Sequence, residues 1–276
     1  MAGSAERRSG YEDNPDFKIV FEPSPRRLRV MVGGETIADS LAMRLLHERN
    51  HLPVYYFPRE DVRMDLLAPS DHDSHCPWKG VARYWHIEAG GNRIEDAAWS
   101  YDAPYSQIDE IAGYVSFYWS KMEHWYEEDE EIFVHARDPY KRVDVIDSGR
   151  QVSVMLGGEK IAETTDARFL FETGLPTRYY IPRDDVRPDI LEPSDTDTRC
   201  PYKGIASYHS VNVGGQRYED IVWYYPDPIA ECPRIKDRLC FFNEHVDAIF
   251  VDGQEIPRTE THWTKRYPQS LMLHET

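Results

Sequence analysis

Two short windows hold the residues best suited to chemistry, and each window occurs twice. The first reads Ser-Asp-x-Asp-x-x-Cys-Pro-[Trp/Tyr]-Lys-Gly. It places Asp71, Asp73, Cys76, Lys79 and Gly80 in one copy and Asp195, Asp197, Cys200, Lys203 and Gly204 in the other. A lysine three residues from a cysteine favours the thiolate, which is the nucleophilic form. The proline between them stiffens the loop. Cys76 and Cys200 are therefore candidate reactive thiols, and Lys79 and Lys203 are candidate anchors for an anionic ligand. The structural alternative is a buried cysteine beside a strand with a lysine on the rim. The Asp-x-Asp pairs offer hard oxygen ligands of the kind Mg²⁺ takes, which makes Asp71, Asp73, Asp195 and Asp197 weak metal candidates. Aspartate and serine also satisfy local backbone donors in turns, and the turn reading is preferred. Zinc fits worse, because His72, His75 and His86 of the first copy become Thr196, Arg199 and Ser210 in the second. A four-ligand site cannot be common to both copies, and a Cys-His catalytic pair fails for the same reason. No resident metal is assigned, and the cofactor is unknown.

The second window reads Glu-Asp-x-x-Trp-x-Tyr: Glu95, Asp96, Trp99 and Tyr101, matched by Glu219, Asp220, Trp223 and Tyr225. On a strand, Trp99 and Tyr101 share a face, as do Trp223 and Tyr225. Tyr84 or Tyr208 on the neighbouring strand can join them. An aromatic wall edged by lysine and carboxylate suits a planar or cationic ligand. The alternative is a core that buries its Trp and Tyr rings with their polar tips hydrogen-bonded. Arg59-x-Asp61 and Arg183-x-Asp185 also recur, and read as loop-pinning ion pairs.

These windows belong to a longer repeat. MVGGETIADS at 31–40 returns as MLGGEKIAET at 155–164, and every matched pair is offset by 124 residues. A repeat of this length is a whole domain rather than a solenoid unit. The expected organisation is a flexible tail at 1–16, a first domain at 17–138, a second at 139–257 and an extension at 258–276. The two domains are expected to pack on one another. Within the extension, His262-Trp263 and 271–273 are possible docking residues.

Strand signals dominate each copy. LRVMV and QVSVML alternate and run into Gly-Gly-Glu turns. VYYFP and TRYYIP stop at proline. REDVRMDLL and RDDVRPDIL begin with acids and suit one helical turn, which Pro188 keeps short. The segments 42–48 and 167–172 fit a strand or a short helix equally well. Short strands between closely spaced turns predict a mainly β chain of two homologous, compact domains, sandwich-like or tent-like, with short helical turns. Neither βαβ alternation nor GxGxxG is present, which excludes a dinucleotide-binding fold.

Composition narrows the partners. With 41% hydrophobic and 29% charged residues the chain is globular rather than disordered. A net charge of −17 without a basic stripe argues against nucleic acid and against anionic membranes. No apolar run has the length of a membrane helix, and the first residues lack the apolar core of a secretory signal. The expected location is the cytoplasm, with four reduced cysteines and no CxxC pair.

The string Cys-Pro-[Tyr/Trp]-Lys-Gly-x-Ala-x-Tyr, followed by Glu-Asp-x-x-Trp-x-Tyr, resembles the domain of unknown function 427. Gly-Gly-Glu-x-Ile-Ala and Tyr-Tyr-[Phe/Ile]-Pro-Arg-x-Asp-Val resemble it too. The resemblance covers both copies, about 28–126 and about 152–250, and implies a small β-rich domain, here in tandem. That family is also labelled nucleotidyltransferase-like. The Gly-Ser context of nucleotidyltransferases is missing here; Gly3-Ser4 lies in the tail.

Three functions follow as expectations. The first is a tandem small-molecule-binding protein, using Lys79, Tyr84, Asp96, Trp99 and Tyr101 in one repeat and Lys203, Tyr208, Asp220, Trp223 and Tyr225 in the other. The second is an enzyme, acting through Cys76 or Cys200 as a thiol or by metal-assisted nucleotidyl transfer. The third is a scaffold whose aromatic residues serve only as core.

Overall fold

The computed structural model describes residues 8–261 and 264. The chain divides between Asp138 and Pro139 into two compact units. The first contains β1 (Ile19–Pro23), β2 (Leu28–Val32), β3 (Glu35–Ser40), β4 (Arg44–Glu48), β5 (Val54–Pro58), β6 (Leu67–Cys76), β7 (Gly80–Ala89), β8 (Asn92–Ser100), β9 (Tyr114–Phe117), β10 (His124–Glu127) and β11 (Glu130–Ile132). The second repeats them as β12 (Val143–Ser148), β13 (Val152–Leu156), β14 (Glu159–Thr164), β15 (Ala167–Glu172), β16 (Arg178–Ile181), β17 (Leu191–Cys200), β18 (Gly204–Val213), β19 (Gln216–Tyr224), β20 (Leu239–Phe241), β21 (Ala248–Val251) and β22 (Gln254–Glu255). Each strand of the second unit is the counterpart of the strand eleven numbers earlier.

Each unit holds two sheets. In the first, seven strands run in the order β1-β4-β5-β9-β8-β7-β6, and four in the order β11-β10-β2-β3. The second unit keeps this arrangement, with β12-β15-β16-β20-β19-β18-β17 and β14-β13-β21-β22. The pairings are antiparallel, as short connections require. The β2–β3 hairpin turns on Gly33 and Gly34, both at positive φ (60° and 76°). This left-handed pair suits a tight two-residue turn between twisted strands, and glycine adopts it without a Cβ penalty.

Alternation explains the layers. In β2 and β13 every second residue is buried, starting with Leu28 and Val152. These side chains meet Tyr55, Phe57, Ile87 and Val115 of the large sheet in one core, with Tyr179, Ile181, Val211 and Leu239 taking the same part in the second unit. The large sheet is also covered on its other face. There Tyr56, Tyr84, Tyr101, Leu46 and Ile111 form a second cluster, mirrored by Tyr180, Tyr208, Tyr225 and Leu170. Consecutive residues of β5 therefore serve opposite cores, as a period of two demands.

The segments that fit either strand or helix are strands, β4 and β15. β4 buries Leu45 on one face and Leu46 on the other, and β15 does the same with Phe169 and Leu170, which a sheet between two cores can use. The acid-led segments form short 3-10 turns at Arg59–Asp61, Met64–Leu66, Arg183–Asp185 and Pro188–Ile190. His262-Trp263 and 271–273 lie outside the described residues. No helix among the described residues is long and apolar enough to cross a membrane.

Each unit also buries charge. In the second, Arg178 makes a two-pronged pair with Glu244 at 2.7 Å for both bonds, and Thr261 donates to the same carboxylate at 2.6 Å. The Glu244 side chain is 0% exposed. Replacing Glu244 with leucine strands a buried guanidinium and is expected to cost about 3–5 kcal/mol. The double variant Arg178→Met/Glu244→Leu is expected to regain most of that loss. Urea unfolding should show both effects in the second unit's transition, with the first unit's transition unmoved.

Candidate functional site

The outer face of the large sheet carries most of the residues that the sequence singles out. Trp99 and Tyr101 extend from β8, beside Tyr84 of β7, and the three share one cluster with Tyr56 of β5. Trp99 donates from Nε1 to Tyr56 Oη at 3.2 Å and packs on Tyr118 at 4.6 Å between ring centroids. In the second unit Trp223 donates to Tyr180 at 3.1 Å and packs on Phe242 at 4.4 Å. Tyr84, Tyr101, Tyr208, Trp223 and Tyr225 are buried, while Trp99 is half-buried. Tyr56 and Tyr180 were legible as strand residues, but their place in the row was not.

Lys79 and Lys203 stand at one end of the row. Each is ion-paired in the interior, Lys79 with Glu48 and Lys203 with Glu172. Burial works against the Lys203 charge, but the neighbouring Cys200 and Glu172 hold its pKa above the ordinary lysine value. Sequence reasoning missed both glutamates. The signal was present, since Glu48 and Glu172 obey the 124-residue offset. Glu172 has a further cationic neighbour, Lys141, at 3.8 Å.

Asp96 and Asp220 stand at the other end, on irregular backbone. The pairs Trp85↔Ala98 and Ile87↔Ile94 leave residues 95–97 opposite His86 alone. On the far side of β7, the pairs Pro69↔Trp85 and Asp73↔Arg83 leave residues 70–72 opposite Tyr84 alone. Both bulges recur around β18. Asp96 and Asp220 each sit at φ +49°, a left-handed conformation that aspartate tolerates better than most residues. Ser70 Oγ donates to Asp96 at 2.5 Å, and Thr196 Oγ1 donates to Asp220 at 2.7 Å. The Asp220 N–H donates to Ser210 Oγ at 3.2 Å. In the first unit His86 takes that place, with Nδ1 2.5 Å from Glu95 Oε2.

The Asp-x-Asp pairs stay at the solvent surface. Asp71, Asp73, Asp195 and Asp197 are exposed. The residues that alternate with them serve the row: Ser74 Oγ lies 2.8 Å from Tyr84 Oη, Thr198 Oγ1 2.7 Å from Tyr208 Oη, and the His72 ring 4.4 Å from Tyr84. Among the described residues, no three His, Cys, Asp or Glu side chains are grouped to hold a metal. In the second unit an open cleft of about 470 Å³ lies over this end, lined by Ser194, Asp195, Thr196, Asp197, Ser210, Arg217, Glu219 and Asp220.

The recurring arginines do not read as a simple ion pair with the aspartate two residues on. Arg59 lies over the Trp85 ring at 4.9 Å, while Asp61 accepts from Ser40 Oγ at 2.6 Å. Arg183 lies over Tyr224 at 5.2 Å and donates to His209 Nε2 at 2.9 Å. Burial first, then the Arg183 charge, lowers the His209 pKa and keeps the ring neutral. The 3-10 turn carries each arginine back onto the sheet, where an aromatic face competes for it.

Cys76 and Cys200 are half-buried, and Cys232 and Cys240 are buried; all four are free thiols. Burial pushes the Cys232 thiol up to about 11 and the Cys240 thiol up to about 12.

Two sandwich-like domains, each with a polar-edged aromatic face on its larger sheet, define a tandem β-domain protein. Residues 20–128 and 144–252 both match the family model described as Domain of unknown function (DUF427), and the chain belongs to that family. No curated protein matches it.

Burial raises the Tyr208 pKa from 10 up to about 12, and the Thr198 hydrogen bond only partly opposes this. The folded state therefore holds the phenol proton more tightly than the unfolded chain. The stability tied to that proton is fully present below pH 10 and is lost as pH rises through about 12, a change of about 3 kcal/mol. Tyr208→Phe should flatten the alkaline fall of the second unit's urea midpoint between these pH values. An unchanged slope would remove Tyr208 as its source.

Proposed function

We propose that the chain is a tandem small-molecule-binding protein, with one site per domain on the outer face of the seven-stranded sheet. Lys79 or Lys203 and Asp96 or Asp220 supply the polar ends. Tyr84, Trp99 and Tyr101, or Tyr208, Trp223 and Tyr225, supply the wall. The observation that carries this reading is the double bulge around β7 and β18. In both copies it holds an aspartate in a left-handed conformation beside the aromatic row, and in the second copy that aspartate lines an open cleft. Strained backbone kept at equivalent positions points to function more than to packing. The cleft lining of hydroxyls and carboxylates, with Arg217 among them, suits a ligand rich in hydrogen-bond donors, cationic or polyhydroxylated.

A second reading, thiol chemistry at Cys76 and Cys200, is favoured by the tight turn in which the Lys203 N–H donates to Cys200 O at 3.3 Å, keeping lysine and cysteine together. If the lysine activates the thiol, Lys203→Met will slow alkylation of Cys200 while leaving Cys76 unchanged. Lys141 remains near Glu172 in that variant. Metal-assisted nucleotidyl transfer gains no support from the donor set, because Asp195 and Asp197 are exposed and no trio of ligands converges among the described residues.

Thermal shift against amines, polyols, nucleosides and organic acids tests the binding reading. A ligand present at one hundred times its Kd adds about 2.7 kcal/mol, enough to raise the melting temperature by several degrees. Asp220→Asn and Trp223→Phe should keep the fold and lose the second domain's shift. Equal shifts in wild type and both variants would place the ligand elsewhere.

A further inference from the structure

Three of the four cysteines lie in the second domain, and the repeat shows that two are additions. Cys200 matches Cys76, but Cys232 matches Ile108 and Cys240 matches Ser116 at the 124-residue offset. Both additions fall in the outer-face cluster with Tyr208, Trp223 and Tyr225.

The backbone brings Cys232 towards Cys200 through three hydrogen bonds in series. The Lys203 N–H donates to Cys200 O at 3.3 Å, the Ile229 N–H to Lys203 O at 3.1 Å, and the Cys232 N–H to Ile229 O at 2.9 Å. A bridge between Gly204 and Pro228 holds the two loops side by side. The sulfurs share surroundings as well. After burial, the strongest influences on Cys232 are the Lys203 ammonium, then Cys200 and Glu172. Access differs between them: Cys200 is half-buried, whereas Cys232 is 2% exposed. An oxidant arriving from solvent therefore meets Cys200 before Cys232.

We propose that Cys200 and Cys232 are a peroxide-responsive dithiol pair that closes into a disulfide at the Lys203 end of the second domain, with no equivalent in the first. Peroxide transfers one oxygen to the Cys200 sulfur. An S–O bond forms, the O–O bond breaks and water leaves, giving a sulfenic acid. The Cys232 sulfur then attacks that sulfur. The S–S bond forms, the S–O bond breaks, and the thiol proton departs with the hydroxyl as a second water. Two thiols are oxidised and one peroxide is reduced to two waters. The bond ties the turn that carries Lys203 to the loop after β19, and so restrains one end of the proposed site. The first domain stops at the sulfenic acid, because Ile108 offers Cys76 no partner.

The test uses the full chain, reduced, exposed to hydrogen peroxide and quenched with N-ethylmaleimide. Two maleimide adducts should be lost from the second domain, with one linked peptide pair containing Cys200 and Cys232. Dimedone should capture a sulfenic acid at Cys76 in the wild type. It should capture Cys200 only in Cys232→Ser or Cys232→Ile, the latter restoring the first domain's residue. A Cys200–Cys240 link, a link between molecules, or equal dimedone capture at Cys76 and Cys200 in wild type would overturn the proposal. Ligand binding plays no part in this readout, so it stands or falls separately from the binding reading.

Discussion

The alternation of side chains across the seven-stranded sheet is the constraint on which the rest of each domain depends. A strand sends successive residues to opposite faces, so a sheet buried on both sides must satisfy two environments with one sequence. The Tyr-Tyr-[Phe/Ile] run of β5 and β16 shows how this is met. Tyr55 and Phe57 enter the core shared with the small sheet, and Tyr56 enters the outer cluster. A shift of one residue would exchange the faces and bring polar groups into the apolar core. The inner face is therefore ordinary packing, and the outer face is free to carry lysine, glutamate, cysteine and hydroxyls among aromatic rings.

Regular alternation would carry this pattern unbroken to the end of the sheet. The paired bulges interrupt it at one place. Extra residues on both sides of β7 and β18 re-aim the chain locally, so Asp96 and Asp220 accept hydrogen bonds from the serine or threonine of the neighbouring bulge. The residues inserted at 70–72 and 194–196 are polar, and they satisfy their own backbone through side-chain bonds, as in His72 N–H to Ser70 Oγ at 3.0 Å and Thr196 N–H to Ser194 Oγ at 3.1 Å. One local irregularity thus produces both the strained aspartate and the space beside it.

Much of this was legible in the sequence. Two copies of one β domain follow from the offset and from period-two runs such as LRVMV. The grouping of Tyr84, Trp99 and Tyr101 follows from the same parity. The bulges did not show, because a register shift depends on which residues pair across strands, and a single strand's sequence does not state its partner. That gap led attention to Asp71 and Asp73, whereas Ser70, His72 and Ser74 are the residues aimed at the row. The Lys–Glu pairs were hidden for a similar reason. Glu48 and Lys79 are separated by 31 positions and meet only because β4 and the β6–β7 turn reach the same end of the outer face.

Comparison of the copies separates charges that both domains keep from charges that each domain places in its own way. A buried ion pair is seldom more stable than a well-packed apolar replacement. A pair retained by both copies therefore calls for a reason beyond stability, and Lys79–Glu48 with Lys203–Glu172 meets that condition. Glu127 and Glu244, by contrast, have no acidic counterpart in the other copy, yet they do the same work. In the first domain Glu127 takes bonds from Tyr55 and Arg26, and Tyr55 Oη accepts the Arg137 N–H at 3.1 Å, beyond the last strand. In the second, Glu244 takes Arg178 and then Thr261, also beyond the last strand. Each copy found its own acid to fasten the chain that leaves the domain, so those acids were exchangeable. The lysine and its glutamate were not exchanged, so their pairing answers to a constraint common to both copies.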